Sequence, residues 1–300
     1  MSAAPHKRRR ITGKRRPVFR LKLATPGGEL ATVDAEPAWQ IQDVLVRLPD
    51  PFREFGYGVN VYNGTQELCG QRTLSDIGTS DEAVLTIVRS KLPLILTASI
   101  DGSAKIWSAA AGQCLQTFAG HDGVVRSAVF SPDCDRILTA SNGSAKIWSA
   151  ATGQCLQTFP RQGAEVLSAV FSPTCDRILT DSMDGSVKIW SVASGQCLQT
   201  FAGHYGAVSS AVFSPDCDRV LTASRDGSAR IWSVASGQCL QTFTGHGDCF
   251  VSAVFSPTCD RVLTASFHGS AKIWSAAGGQ CMQTFTHGRY MTSAVFSQQE

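Results

Sequence analysis

The chain has 300 residues, 43% of them hydrophobic, and a net charge of +3, which is long enough for more than one core and too apolar for a disordered chain. Eleven cysteines without one Cys-x-x-Cys pair argue against zinc, and the length argues against a small disulfide-stapled scaffold. Residues 1–16 form a basic tail whose charges are Lys7, Arg8, Arg9, Arg10, Lys14, Arg15 and Arg16. The tail has no apolar run of the signal-peptide kind, so secretion is not expected and the chain is assigned to the nucleus, the cytoplasm or both. Two basic clusters suit a nuclear import receptor, RNA or anionic lipid, and a solvated charge run is the alternative. No aromatic residue is interleaved with these charges, so stacking on bases is not provided for and nucleic-acid binding rests on the tail alone.

Residues 17–90 read as a second, compact unit. Val18-Phe-Arg-Leu-Lys-Leu alternates as a strand does, Gly27-Gly28 turns the chain, and Glu29 to Val33 runs back. Trp39 to Leu48 has helical spacing, with Ile41, Val44, Leu45 and Leu48 on one stripe. Val59 to Tyr62 and Ala83 to Val88 are further strands, giving the order ββαββ.

From residue 92 onward one unit is written repeatedly. Trp107, Trp148, Trp190, Trp232 and Trp274 mark a period of 41 or 42 residues. Each period holds four short strand-like runs: Ser-Ala-Val-Phe, Arg-Ile-Leu-Thr-Ala, Ser-Ala-Lys-Ile-Trp and Cys-Leu-Gln-Thr-Phe. Ser-Pro turns and Asp-Gly hairpins (Asp101-Gly102, Asp184-Gly185, Asp226-Gly227) separate them. No such unit buries both of its faces alone, so the copies must pack on each other. Cys114, Cys155, Cys197, Cys239 and Cys281 are expected as half-buried strand residues, and Cys134, Cys175, Cys217 and Cys259 in turns where glycine is usual. No triad spacing and no phosphate-cradling glycine loop is present, so an enzyme is not expected, nor a cofactor or a small-molecule substrate.

These residues resemble the WD-repeat family of β-propellers over Leu92 to about Ser297, with Gly-His pairs at Gly120-His121, Gly203-His204 and Gly245-His246 and with Trp-Ser where the family has Trp-Asp. The resemblance implies an all-β propeller and a His–Thr–Asp–Trp hydrogen-bonded chain in each blade. Only His204, Thr222, Asp226 and Trp232 complete that set within one continuous copy; Gln162, Asn142 and His268 interrupt it elsewhere. Strand counting gives five blades if Ser293 to Phe296 completes the opening blade at Leu94 to Ala98. Residues 17–90, with Arg72-Thr73-Leu74-Ser75-Asp76, look like an α+β ubiquitin-like (β-grasp) domain. That resemblance maps a receptor face to Val61, Thr86 and Val88, while the strand runs into Ser90-Lys91-Leu92-Pro93 without a conjugating Gly-Gly. The multi-domain reading is therefore tail 1–16, ubiquitin-like domain 17–90 and propeller 92–300.

Most of the repeat is nearly invariant among copies, and the exceptions fall in three series. These are Val124, Glu165, Ala207, Cys249 and Tyr290; Arg126, Leu167, Ser209, Val251 and Thr292; and Ile100, Met183, Arg225 and Phe267. In WD-repeat proteins such positions surround the mouth of one face, and the residue types suit a protein-binding hot spot. Drift at exposed positions is the alternative. The expected function is a non-enzymatic scaffold in which the propeller binds a protein client and the first domain engages a second partner, as in ubiquitin–proteasome pathways. A ribosome-assembly factor of the Notchless type, with Glu67 as its acidic contact, and a nucleic-acid binder through the tail stay open as alternatives.

Overall fold

The computed structural model describes residues 19–25, 28–36, 38–46, 48, 57–63, 66–68, 73–76, 83–91, 93–160 and 164–297. The basic tail, Gln162, Cys69 and Arg72 lie outside these. Contacts divide the chain into two units, Met1–Leu92 and Pro93–Glu300. Among the described residues no helix is long and apolar enough to cross a membrane.

In the first unit, β1 (Phe19–Thr25) and β2 (Gly28–Ala35) form an antiparallel hairpin. The helix α1 (Ile41–Leu45) follows, then β3 (Tyr57–Asn63), β4 (Gln66–Leu68) and β5 (Val84–Lys91). The sheet order is β2-β1-β5-β3-β4, with β5 parallel to β1 and antiparallel to β3. Alternation turns Leu21, Leu23, Val61, Leu85 and Ile87 to one face, where Ile41, Val44, Leu48 and Leu74 cover them. Gln40 caps the start of the helix, its N–H donating to the Asp43 carboxylate at 2.8 Å, and the helix closes at Val46, short of the last residue of its apolar stripe, Leu48.

This register corrects the receptor face drawn from the sequence. Val61 lies opposite Ile87 and is only 1% exposed, so it belongs to the core and not to a docking surface. Thr86 is half-buried, and its cross-strand neighbour is Tyr62. The side chain of Val88 lies outside the described residues.

The second unit is a succession of antiparallel sheets. The opening sheet has three strands, β6 (Leu94–Ala98), β7 (Ser103–Ser108) and β8 (Cys114–Ala119). Four four-stranded sheets follow. The next is β9 (Val125–Phe130), β10 (Arg136–Ser141), β11 (Ser144–Ser149) and β12 (Cys155–Phe159). Then come β13 (Val166–Phe171), β14 (Arg177–Ser182), β15 (Val187–Ser191) and β16 (Cys197–Phe201). The fourth holds β17 (Val208–Phe213), β18 (Arg219–Ser224), β19 (Ser228–Ser233) and β20 (Cys239–Thr244). The fifth holds β21 (Phe250–Phe255), β22 (Arg261–Ser266), β23 (Ser270–Ser275) and β24 (Cys281–Thr286).

Turn chemistry follows the residue types. Gly102, Gly185 and Gly227 adopt φ near +83°, as the Asp-Gly hairpins require. Cys134, Cys175, Cys217 and Cys259 are also left-handed, with φ of 60–65°, an uncommon state for a residue carrying a Cβ. The serine that replaces the Asp of Trp-Asp caps the next turn: Ser149 Oγ accepts the Thr152 N–H and Ser191 Oγ accepts the Ser194 N–H, each at 3.2 Å. The other cysteine series departs from expectation. Cys114, Cys155, Cys197, Cys239 and Cys281 are exposed, because the last strand of each sheet is its edge.

Adjacent sheets meet through two repeated contacts. The Phe closing one copy packs against the Trp of the next, as in Phe118–Trp148, Phe159–Trp190, Phe201–Trp232 and Phe243–Trp274, with centroids 5.6–5.9 Å apart. The Gln two residues before that Phe lies over the left-handed glycine of the following copy: Gln116 on Gly153, Gln157 on Gly195, Gln199 on Gly237 and Gln241 on Gly279.

The expected pairing of Ser293–Phe296 with β6 is not formed. Within its sheet β6 is bonded only to β7, and residues 288–297 carry no strand. The segment lies instead beside the last sheet. Met291 N–H donates to Phe267 O at 3.3 Å, and Ala294 N–H to Ser252 Oγ at 3.4 Å. It follows directly from β24, so it is held alongside the sheet it has just left.

Candidate protein-binding face

The antiparallel first and second strands of each sheet bring the start of one beside the end of the other. That places the first and third variable series side by side. Met183 N–H donates to Glu165 O at 3.0 Å, Arg225 to Ala207 O at 2.9 Å and Phe267 to Cys249 O at 3.0 Å. The second series has a property that sequence reasoning missed. Arg126, Leu167, Ser209 and Val251 are each the unpaired residue at a break in register between the first two strands. Such bulges bend the strand and re-aim a side chain, and they recur beside functional sites.

Around the last two sheets these residues enclose a cleft of about 510 Å³, lined by Ser209, Arg225, Cys249, Phe250, Val251, Phe267, Met291 and Thr292. Phe267 is 46% exposed and packs on Tyr290 at a centroid distance of 4.6 Å. Cys249 Sγ donates to Arg225 O at 3.3 Å, fixing the floor between them. The structure thus groups Arg225, Val251, Phe267 and Tyr290. It sets Arg126 and Glu165 apart in an ion pair of 2.8 Å between neighbouring sheets, with Arg126 Nε donating to Asn142 Oδ1. Ile100 and Met183 stand exposed on their own hairpins, and Val124 and Leu167 are half-buried.

Below this rim lies the hydrogen-bonded network. His204 Nδ1 meets Asp226 Oδ2 at 2.8 Å, His204 Nε2 meets Thr222 Oγ1 at 2.7 Å, and Trp232 Nε1 donates to Thr222 Oγ1 at 2.9 Å. Burial holds His204 below the ordinary imidazole range against the pull of Asp226, so the neutral ring donates from Nδ1 and accepts at Nε2. Burial works to raise Asp226, but bonds from Ser228 and His204 outweigh it and its carboxyl ends below the usual range. In the copies with His121 and His246 the ring reaches Thr139 and Thr264 at 2.7 Å, but a serine replaces the carboxylate partner. Burial lowers both of these histidines to about 4.

Tyr205 is the other residue missed. It is 94% exposed, directly above the network, and its N–H donates to Asp226 Oδ2 at 3.1 Å. A signal existed, since the residue after each Gly-His also differs among copies: Asp122, Tyr205 and Gly247. Apolar and aromatic groups thus stand beside Arg225 at this rim.

A stretch of 76 residues, 25% of this chain, is 37% identical to nuclear distribution protein PAC1 from two strains of Cryptococcus neoformans var. neoformans serotype D. The chain spans 16% of the length of these relatives. Residues 112–149, 153–191, 195–233 and 237–275 each match the family described as WD domain, G-beta repeat. These matches take in more than half of the chain, which belongs to the WD-repeat family.

Proposed function

We propose that the chain is a non-enzymatic interaction scaffold whose repeat unit binds a protein client on the bulged face. The observation that carries this reading is the coincidence of two independent features. Three series that differ among otherwise near-identical copies are the bulged residues and two adjoining series hydrogen-bonded to each other, and several of them line an apolar cleft. The first unit is proposed as a ubiquitin-like domain engaging a second partner in ubiquitin–proteasome pathways. Its mixed sheet, with parallel first and last strands and one short helix over the core, supports that reading. With Val61 in the core, a receptor would meet Thr86 and Tyr62. The basic tail is proposed as a nuclear import signal.

Affinity purification of the full chain, compared with a Phe267→Asp/Arg225→Glu variant, tests the client face. Loss of one defined set of proteins from the variant, with its thermal melt unchanged, is the expected result. An identical set of captured proteins would overturn the assignment.

A further inference from the structure

One hairpin of the repeat unit is built differently from the rest. Four hairpins between second and third strands place three residues between two serines, as in Ser224-Arg225-Asp226-Gly227-Ser228. Their glycines, Gly102, Gly185, Gly227 and Gly269, take φ of +82° to +83°. The β10–β11 hairpin has only Asn142 and Gly143 between the paired Ser141 and Ser144. Gly143 is exposed, is not among the left-handed glycines, and a Cβ on it would meet nothing within 4 Å. Neither backbone conformation nor packing calls for glycine here. Its effect is to leave the backbone nitrogen beside the Asn142 amide unshielded.

The oxygen of that amide is engaged by a cation. Arg126 Nε donates to Asn142 Oδ1 at 2.8 Å, while Arg126 Nη2 holds Glu165 Oε2 at 2.8 Å. A guanidinium hydrogen bond polarises the carbonyl and stabilises negative charge developing on its oxygen. Asn142, Gly143 and Glu165 also line one cleft of about 540 Å³, ample for water.

We propose that Asn142 is a self-modification site, converted to aspartate and isoaspartate by attack of the Gly143 nitrogen, with Arg126 holding the oxyanion. Gly143 N gives its proton to solvent and bonds to Asn142 Cγ. The carbonyl electron pair moves onto Oδ1, which faces Arg126. Collapse re-forms the carbonyl and breaks the Cγ–Nδ2 bond, and Nδ2 takes a proton from solvent and leaves as ammonia. Water then adds to either carbonyl of the resulting cyclic imide and breaks that carbonyl's bond to Gly143 N. Opening at the side-chain carbonyl gives aspartate, and opening at the main-chain carbonyl gives isoaspartate. No oxidant or reductant takes part. The aspartate product sets a second carboxylate on Arg126 in competition with Glu165, so the link between these neighbouring sheets changes with the age of the molecule.

Peptide mapping of the full chain, aged at neutral pH and compared with an unaged sample, is the test. The same dipeptide at Asn63-Gly64 is an internal clock for solvent and handling. In heavy-oxygen water Asn142 should take up labelled oxygen and resolve chromatographically into aspartate and isoaspartate forms. Gly143→Ala, which has room for its methyl group, should nearly abolish conversion at Asn142 and leave that at Asn63 unchanged. Arg126→Ala should slow Asn142 relative to Asn63 by about tenfold, the scale of losing a donor to a developing oxyanion at an exposed site. Loosening of the hairpin would raise the rate, so a folding defect does not mimic this result. An Asn142 that stays unmodified overturns the proposal. So does an Arg126→Ala variant that converts Asn142 as fast as the wild type or faster, or a Gly143→Ala variant that converts it at the wild-type rate.

Discussion

The carboxyl of Asp181 accepts both the backbone N–H of Ser168, at 2.6 Å, and its hydroxyl, at 2.7 Å, at a position where the other copies carry Ala98, Ala140, Ala223 and Ala265. Asp181 is 1% exposed, and burial pushes its pKa up to about 7 against the opposing influence of the two Ser168 bonds.

The sign of the consequence follows from linkage. The folded chain holds this proton more tightly than the unfolded one, whose carboxyl has the ordinary value of 3.8. Stability from this group is complete below that value and is lost as pH rises to about 7, by on the order of 4 kcal/mol. Asp181→Ala should abolish this decline and raise the melting temperature at pH 8. Melting curves across pH 4–8 for both proteins check it, and parallel curves would contradict it.

A second prediction contrasts two aspartates. Asp226 holds His204, the Tyr205 N–H and Ser228, whereas the carboxylate of Asp184 bonds the N–H and hydroxyl of Ser186. Asp226→Ala should cost about 1–3 kcal/mol, the effect of stranding buried polar partners, and Asp184→Ala clearly less. Denaturant titration of the two variants measures the difference, and equal shifts would refute it.

Gly195 and Gly112 separate backbone strain from a side-chain contact. Their φ values are +69° and +65°, but a Cβ on Gly195 would lie 1.9 Å from Gln157 Nε2, while one on Gly112 meets nothing within 4 Å. Gly112→Ala should destabilise by about 1–2 kcal/mol through the left-handed backbone alone. Gly195→Ala should cost more, with the excess removed by a further Gln157→Ala change. A double-mutant cycle with no coupling would show that the contact is immaterial.

Deleting residues 1–16 should shift a fluorescent fusion out of the nucleus without altering its thermal melt. An unchanged distribution would reduce Lys7 to Arg16 to a solvated charge run.

The strand pattern was legible because each turn needs a residue type of its own: Ser-Pro to end the first strand, Asp-Gly to supply positive φ in the hairpin. The variable positions that come together near Phe267 were legible as variable because internal copies act as controls for one another. The bulges at Leu167, Ser209 and Val251 were not, since a break in register depends on pairing rather than on composition. Val61 was misassigned by carrying a face across by resemblance, when its partner Ile87 and strand parity decide the side. The exposed cysteine series failed for a different reason. Cys114 and its counterparts lie on edge strands, which lack a neighbour on one side.

The Phe–Trp and Gln–Gly contacts have a consequence for inheritance. Each joint is made by groups at fixed places in two successive copies, and no joint depends on which copies they are. Gain or loss of a whole period, by duplication or excision of its coding segment, would leave every remaining joint intact. Chains of this kind can therefore change length in steps of one copy with both contacts kept at each remaining joint, and their individuality is left to accumulate on the bulged rim.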